Sequence, residues 1–139
     1  MASILKVDEL QGITAAGDIT VTSEGGAATQ SLQQGLAKAW LHFDGSGTPS
    51  IDDSLNFSSI TDVATARYIP TLTNNMSVSN GYAVSGSASW STTLSFGTFV
   101  AYEADGYDTT GVEIITYRTD NYVTTEALDI TLDYHGDLA

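Results

Sequence analysis

The side chains best suited to chemistry in this sequence are carboxylates that stand beside glycines, in two short runs. Asp44-Gly45-Ser46-Gly47-Thr48 has the composition of the beginning of a Ca²⁺-binding loop, because glycine allows a tight turn and Ca²⁺ prefers oxygen ligands. The run lacks the alternating Asp or Asn positions and the distant Glu of an EF-hand, and a glycine-rich hairpin turn explains it without a metal. Asp105-Gly106-Tyr107-Asp108, with Glu103 nearby, has the same character, and an exposed acidic loop is the simpler prediction.

Histidine, cysteine and serine give little support to a metal centre or a nucleophilic enzyme. His42 and His135 are the only imidazoles and the chain has no cysteine, whereas zinc takes three or four such ligands. No Gly-x-Ser-x-Gly elbow accompanies the serines, and Gly45-Ser46-Gly47 lacks the lysine of a phosphate-binding loop. We therefore predict no catalytic, cofactor-binding or metal-binding residues and no enzymatic activity, although the many acids leave open a chance carboxylate pair for glycoside hydrolysis.

Tyrosine is the residue type that best predicts a contact surface in this chain. It joins an apolar ring to a polar hydroxyl, which suits a face that binds carbohydrate or protein. The tyrosines concerned are Tyr102, Tyr107, Tyr117 and Tyr122. Ordinary packing between strands accounts for the same residues, and the sequence leaves both interpretations open.

Strands must position these residues, because the apolar pattern of the later chain has a period of two. Tyr82 to Trp90 and Leu128 to Tyr134 alternate apolar with polar or small residues, and Trp40 to Phe43 has large groups on both faces, as in a doubly covered strand. Further strands are predicted around Leu55 to Ile60, Leu94 and Phe96, and over Thr65 to Leu72, Phe99 to Tyr102 and Val112 to Arg118. Turn signals stand at Asp44-Gly45, Asn74-Asn75, Asn80-Gly81, Asp105-Gly106 and Thr110-Gly111. The spacing predicts an all-β fold, an antiparallel β-sandwich or jelly roll.

The beginning of the chain has a different pattern, which predicts an extended N-terminal arm over residues 1–35 and a β-sandwich domain over residues 36–139. Ile19 to Thr22 is a short strand candidate, and Ala27 to Ala39 has near-helical apolar spacing that fits a short helix or a plain linker. The arm carries apolar side chains that need a partner surface, on another subunit or on a larger particle. They are Ile4, Leu5, Val7, Leu10, Ile13, Ile19 and Val21.

Composition limits the partners. The 139 residues suit one domain and carry a formal net charge of −13, from 17 Asp and Glu against 4 Lys and Arg. Such a charge repels nucleic-acid phosphates and anionic lipid headgroups, so we predict no nucleic-acid partner and no membrane partner. Excess carboxylate keeps a protein surface hydrated, and adaptation to saline water is the alternative explanation.

The sequence contains no pattern that predicts a membrane span or a secretion signal. No apolar run reaches the ~18 residues of a transmembrane helix. Met1 to Asp8 places charged residues where a signal peptide needs an apolar block, so export by that route is not expected.

A long motif extends from Gly35 to Met76. Its parts are Lys38-Ala39-Trp40, Phe43-Asp44-Gly45-Ser46-Gly47-Thr48, Ser54-Leu55-Asn56-Phe57-Ser58-Ser59-Ile60-Thr61-Asp62, Tyr68 and Met76. In this order they resemble a module of bacteriophage virion structural and tail-fibre proteins, especially from phages of marine bacteria and cyanobacteria. The pattern of that module reads roughly K-A-W-[VL]-x-F-[ND]-G-[ST]-G-T and then S-[FL]-N-[VF]-S-S-I-T-D. The opening Leu5 to Gln11 is similar to the start of many such phage proteins.

The resemblance implies a non-enzymatic virion structural protein, made in the host cytoplasm and displayed on the particle surface as a homotrimer. The arm, residues 1–35, would then dock on other virion proteins of the capsid or the tail. Because the chain has no extended repeat or coiled coil, a short appendage is expected: a head decoration protein, a spike or a short tail fibre. The alternatives are a fibre tip that binds a host-surface glycan or protein and, less favoured, a glycan-degrading enzyme.

Overall fold

Antiparallel strand pairing organises the chain in the computed structural model, which describes residues 4–15, 19–22, 25–90, 98–120 and 122–139, with the backbone alone over 98–105. The strands are β1 (Thr20–Thr22), β2 (Thr29–Ser31), β3 (Ala39–Asp44), β4 (Ser50–Leu55), β5 (Phe57–Ala64), β6 (Arg67–Leu72), β7 (Ala83–Ser89), β8 (Thr98–Asp108), β9 (Gly111–Arg118) and β10 (Asp129–His135). No helix occurs in the described ranges. The predicted all-β, sandwich-like class is confirmed, whereas the jelly-roll connectivity and the extended arm stay predictions.

The chain divides into two compact units, Met1–Leu36 and Ala37–Ala139. In the first unit β1 and β2 form a two-stranded antiparallel sheet, with Thr20 opposite Ser31 and Thr22 opposite Thr29. The short helix considered for Ala27 to Ala39 is absent, because the backbone of this segment enters β2 and then a series of turns. The helical spacing of its apolar residues therefore has no structural counterpart.

The second unit contains one eight-stranded antiparallel sheet in the order β4-β3-β10-β7-β8-β9-β6-β5. Its two edge strands, β4 and β5, are consecutive in the chain and are joined by Asn56 alone. Asn56 has a positive φ of 64°, and its Oδ1 accepts a hydrogen bond from the backbone N–H of Asn74 at 2.7 Å. Because one residue connects opposite edges, the sheet must fold over until those edges meet at this corner.

The core lies between the two halves of the folded sheet. The Phe43 ring of β3 meets the Tyr68 ring of β6 edge-to-face, with centroids 5.4 Å apart. Phe57 of β5 meets Tyr134 of β10 in the same way at 5.2 Å. Such edge-to-face pairs add to the stabilisation that comes from burying the rings. The core cluster comprises Ala39, Leu41, Phe43, Phe57, Tyr68, Leu72, Met76, Tyr82, Val112, Ile114, Ala127, Ile130, Leu132 and Tyr134.

Period-two patterning located several strands correctly. Ile130, Leu132 and Tyr134 of β10 are buried and alternate with exposed neighbours, as predicted. In β3 the prediction of a doubly covered strand is wrong, because buried residues alternate with partly exposed ones and Trp40 lies on the partly exposed face. Leu94 and Phe96, in the stretch expected to continue as strand, lie outside the described residues, whereas Phe99 to Tyr102 falls in β8.

Two predicted turns had different outcomes. Thr110-Gly111 lies where β8 turns into β9, as predicted. Asp105-Gly106 lies within β8, so the turn predicted there is wrong. The pairing with β9 passes from Tyr102↔Ile114 to Tyr107↔Val112, which leaves unpaired residues on β8 in a bulge. Turn-type residues therefore mark a local irregularity of the strand here and no reversal of the chain.

Candidate functional site

An open cleft of about 460 Å³ lies in the second unit where several connections come together. Ser46 contributes from the loop after β3, Thr65 from the turn between β5 and β6, and Trp90 from the position after β7. Residues 124–126 and Leu128, from the segment that leads into β10, complete the lining. The volume falls within the range of about 300–1,000 Å³ that is usual for small-molecule sites.

Backbone hydrogen bonds fix the segment before β10 on both sides. The N–H of Thr125 donates to the carbonyl of Thr116 in β9 at 3.1 Å, and the N–H of Leu128 donates to the carbonyl of Ser89 at 2.8 Å. Between them the carbonyl of Ala127 accepts from the N–H of Gly45 at 2.9 Å. Backbone hydrogen bonds thus hold this segment to β9, to the end of β7 and to the loop after β3. The backbone positions from which its side chains reach the cleft are therefore fixed.

The loop predicted as a Ca²⁺ candidate forms one rim of this cleft. The Asp44 carboxylate accepts a hydrogen bond from the N–H of Ser46 at 2.7 Å, and the Glu126 carboxylate accepts one from the N–H of Gly47 at 3.2 Å. The acidic side chains therefore serve the turn itself. No group of three or more His, Cys, Asp or Glu side chains suited to a metal ion occurs in the described part of the chain.

Tyr68, a buried residue of β6, holds the loop after β3 in place through a hydrogen bond. Its hydroxyl donates to the carbonyl of Gly45 at 2.6 Å, and a Cβ added at Gly45 would lie 2.7 Å from that hydroxyl oxygen. Burial raises the pKa of Tyr68 above its usual value, with further contributions from the negative charges of Glu126, Asp62 and Asp44. The hydroxyl thus stays protonated and available as a donor to the loop.

A cation–aromatic pair holds Trp90 at the border of the cleft. The guanidinium carbon of Arg118 lies 4.7 Å from the centroid of the Trp90 ring. Asp120 in turn accepts two hydrogen bonds from Arg118, from Nε at 3.1 Å and from Nη2 at 2.7 Å. The indole remains 38% exposed. An aromatic ring that is held in place and yet exposed is a suitable platform for a ligand.

The two histidines do not come together. His42 lies on β3, where its Nε2 is 3.3 Å from Oδ1 of Asp129 and 3.9 Å from Oδ2 of Asp52. Thr131 stands opposite His42 in the sheet, whereas His135 lies four residues further along β10, on the order of 13 Å away. His42 therefore makes a surface hydrogen bond with the Asp129 carboxylate, and His135 is exposed and separate.

The tyrosines predicted as a contact face do not share one environment. The ring of Tyr107 packs against Tyr82 with centroids 5.1 Å apart, and burial raises the pKa of Tyr107. Tyr107 stands opposite Val112 of β9, and Tyr117 lies an odd number of residues further on, so the two fall on opposite faces of the sheet. Tyr122 is 74% exposed, and the side chain of Tyr102 lies outside the described ones. Tyr107 is therefore a packing residue and no part of an exposed tyrosine face.

The second acidic run lies at the end of β8. The Asp108 carboxylate accepts a hydrogen bond from the N–H of Thr109 at 2.6 Å and so supports the turn into β9. The side chains of Glu103 and Asp105 lie outside the described ones. In its described portion this run serves the turn of its own strand, like the loop after β3.

The first unit presents a surface of a different kind. Its large aliphatic side chains are mostly exposed, and Ile13, at 105%, is the extreme case. The others are Ile4, Leu5, Val7, Leu10, Val21 and Leu36. A shallow cleft of about 280 Å³ in this unit is bordered by Val21, Ala28, Thr29 and Gln30. Exposed aliphatic side chains in this number set the first unit apart from the second, whose large apolar side chains form a buried core.

Sequence reasoning missed Trp90, Arg118 and Glu126 as a group. Trp90 was predicted within a half-buried alternating strand, whereas β7 ends at Ser89 and Trp90, just beyond it, is exposed. Its partners stand 28 and 36 positions further along the chain. No local spacing connects them, because only the pairing of β7, β9 and β10 brings these segments to one cleft. An aromatic residue that directly follows a polar strand was the one available signal.

The described residues contain no helix long and apolar enough to cross a membrane. Comparison with protein-family models, with curated proteins and with solved structures gave no match to this chain.

Proposed function

We propose that this chain is a non-enzymatic structural protein of a bacteriophage particle. In this proposal it is a short homotrimeric appendage, either a head decoration protein or spike or a short tail fibre. Residues 1–35 dock on capsid or tail proteins, and the β domain faces outward. The observation that carries the proposal is the exposed aliphatic surface of the first unit, on which Ile4, Leu5 and Ile13 are more than three-quarters exposed. The sequence resemblance supplies the phage context and the trimer.

Burial energetics support a docking role for the first unit. Covering one exposed Ile, Leu or Val side chain contributes about 1.5–3 kcal/mol, before the entropy of ordering the segment is subtracted. Ile4, Leu5, Val7, Leu10 and Ile13 are such side chains, so together they can stabilise a lasting contact. A protein that stayed alone in solution would gain nothing from this surface and would risk aggregation.

The charge of the chain supports outward display. A formal net charge of −13 keeps a densely displayed protein hydrated and discourages contacts between neighbouring particles. The edge strands β4 and β5 carry Asp52, Asp53 and Asp62. Charged side chains on edge strands oppose pairing with strands of other molecules. Both features suit a surface protein of a crowded assembly.

The proposal is tested first by mass and then by location. Sedimentation of the full chain should give three times its 14.6 kDa mass, and replacing Ile4, Leu5, Val7 and Leu10 with serine should weaken association. A matched variant, Val63 and Val78 to serine, alters exposed valines of the second unit and should leave association unchanged. A full chain that sediments as a monomer at micromolar concentration contradicts the trimer.

Location is decided by cryo-electron microscopy of phage particles from the source culture. Density on the head lattice would identify a decoration protein, and density on the tail would identify a short fibre or spike. Absence of the chain from every particle would contradict the proposal.

A second candidate function is receptor binding by a fibre tip, and the cleft beside Trp90 favours it.

A glycan-degrading enzyme is the last alternative. Glycosidases generally place two carboxylates about 5–9.5 Å apart across the scissile bond. Glu126 is the only carboxylate among the cleft-lining residues in the described part of the chain, and it accepts a bond from the Gly47 N–H. Release of reducing ends from host polysaccharide would favour the enzyme.

A further inference from the structure

We infer that the cleft beside Trp90 is a binding site for a neutral oligosaccharide. The inference rests on the second candidate function, receptor binding, and adds to it the site and the chemical class of the ligand. It does not depend on docking through residues 1–35.

The cleft combines the two kinds of surface that a sugar ring requires. A pyranose presents an apolar C–H face and a rim of hydroxyl groups, so its site needs a flat apolar platform with polar groups at its side. Trp90 supplies the platform, and the bidentate Asp120–Arg118 pair against its ring restricts its motion. A ring that is held before the ligand arrives loses less entropy on binding.

Polar side chains line the same cleft as Trp90, and several of them have unused hydrogen-bonding capacity. The hydroxyls of Ser46, Thr65 and Thr124 have no hydrogen-bond partner among the residues that the structure describes. Each can both donate and accept, as sugar hydroxyls do. Glu126 adds a carboxylate, which accepts more strongly than a neutral group, and only one of its two oxygens is engaged with Gly47.

Charge selects the class of saccharide. The Glu126 carboxylate borders the cleft, and the whole chain has a formal net charge of −13. Sulfated or carboxylated sugars would be repelled, whereas neutral hexoses and N-acetylhexosamines would not. The open shape of the cleft suits one or two sugar units at the surface of a longer glycan.

The chain offers a matched pair of variants for the test, because Trp40 and Trp90 are its two tryptophans. Full-length protein is screened by saturation-transfer NMR against neutral oligosaccharides of glucose, galactose, mannose and N-acetylhexosamines, with sialylated and sulfated sugars alongside. We expect neutral sugars to bind, and Trp90→Ala to weaken that binding about tenfold or more. Trp40→Ala, on the outer face of β3, should leave it unchanged.

Further variants separate binding from folding. Trp90→Phe keeps an aromatic ring and should retain part of the affinity even where Trp90→Ala is poorly folded. Glu126→Gln keeps an oxygen that can accept from Gly47 and should weaken binding about fivefold, because a neutral acceptor bonds more weakly than a carboxylate. In Trp40→Phe protein Trp90 is the sole indole, so its fluorescence should change on titration with a bound sugar.

The outcomes distinguish the site from the function. Sugar binding that survives Trp90→Ala would overturn this site and leave receptor binding standing. No binding to any sugar at millimolar concentration would overturn the site and the glycan-binding function together, without touching the docking proposal. A preference for anionic sugars would overturn the ligand class.

Discussion

The two units of this chain differ in the exposure of their apolar side chains. In residues 37–139 the aromatic and aliphatic side chains of β3, β6, β9 and β10 are buried between the halves of one folded sheet. In the described residues of the first unit the aliphatic side chains are mostly exposed, and the only sheet there is a two-stranded pair of three-residue strands. All the Phe, Trp and Tyr residues belong to the second unit. A two-stranded sheet is marginal by itself, so the second unit has a buried core to stabilise it, whereas the described residues of the first unit contribute none to that core.

The largest expected effect is that of Gly111→Ala in the second unit. Gly111 has a φ of 152°, and a Cβ there would overlap the carbonyl oxygen of Pro70. We expect the free energy of unfolding to fall by about 4 kcal/mol, from backbone strain and overpacking together. Urea denaturation measures the change.

Gly47→Ala is the matched control for that substitution. Gly47 also has a positive φ, of 61°, but an added Cβ would have no atom within 4 Å. A loss of about 1 kcal/mol is expected from the backbone conformation alone. Equal losses at the two glycines would show that contact with Pro70 is unimportant.

A pair of leucines gives the next largest effect and contrasts the two units directly. Leu132 is 1% exposed in β10, whereas Leu10 is 55% exposed in the first unit. Leu132→Ala should lower the free energy of unfolding by about 3 kcal/mol, through lost burial and the cavity left behind. Leu10→Ala should change it by less than about 0.5 kcal/mol. A large loss for Leu10→Ala in dilute solution would mean that this side chain is covered within the isolated chain.

The same contrast explains what could be predicted from the sequence. The strict alternation of β10 and the turn at Thr110-Gly111 were predictable, because burial on one face and tight turns leave local signals. The turn predicted at Asp105-Gly106 was wrong because the same residue types also occur in a bulge, here within β8. The short helix considered for Ala27 to Ala39 did not form, and the spacing of apolar residues is a weak signal there because packing does not constrain a poorly buried segment. The cleft could not be predicted from the sequence, because only the order of the strands in the sheet brings Trp90, Arg118 and Glu126 together.

Alkaline pH should destabilise the second unit by a smaller amount. Burial, followed by the charge of Tyr107, raises the pKa of Tyr82 from 10.0 to about 12. Because the folded-state pKa is the higher one, this stabilisation is complete below pH 10 and is lost as the pH rises from 10 to 12. At ~1.4 kcal/mol for each pKa unit, the loss is on the order of 2 kcal/mol.

Urea denaturation of the unmodified chain and of Tyr82→Phe at pH 8 and pH 12 tests this. The variant loses hydrogen bonds to the carbonyls of Asp108 and Gly111 at either pH, so the difference between the two pH values is the informative quantity. That difference should shrink by about 2 kcal/mol in Tyr82→Phe. An unchanged difference would assign the alkaline loss to other groups, such as Tyr68, whose pKa is raised as well.

The smallest change in stability is expected for the deletion of residues 1–36. The second unit keeps its whole sheet and core, so its free energy of unfolding should change by less than about 0.5 kcal/mol. Association should be lost at the same time, because the deletion removes the exposed aliphatic surface on which the docking proposal rests. Urea denaturation and sedimentation of the same sample measure both quantities. A destabilised but still trimeric fragment would reverse the comparison: the first unit would then support the fold of the second, and the trimer contacts would belong to the β domain.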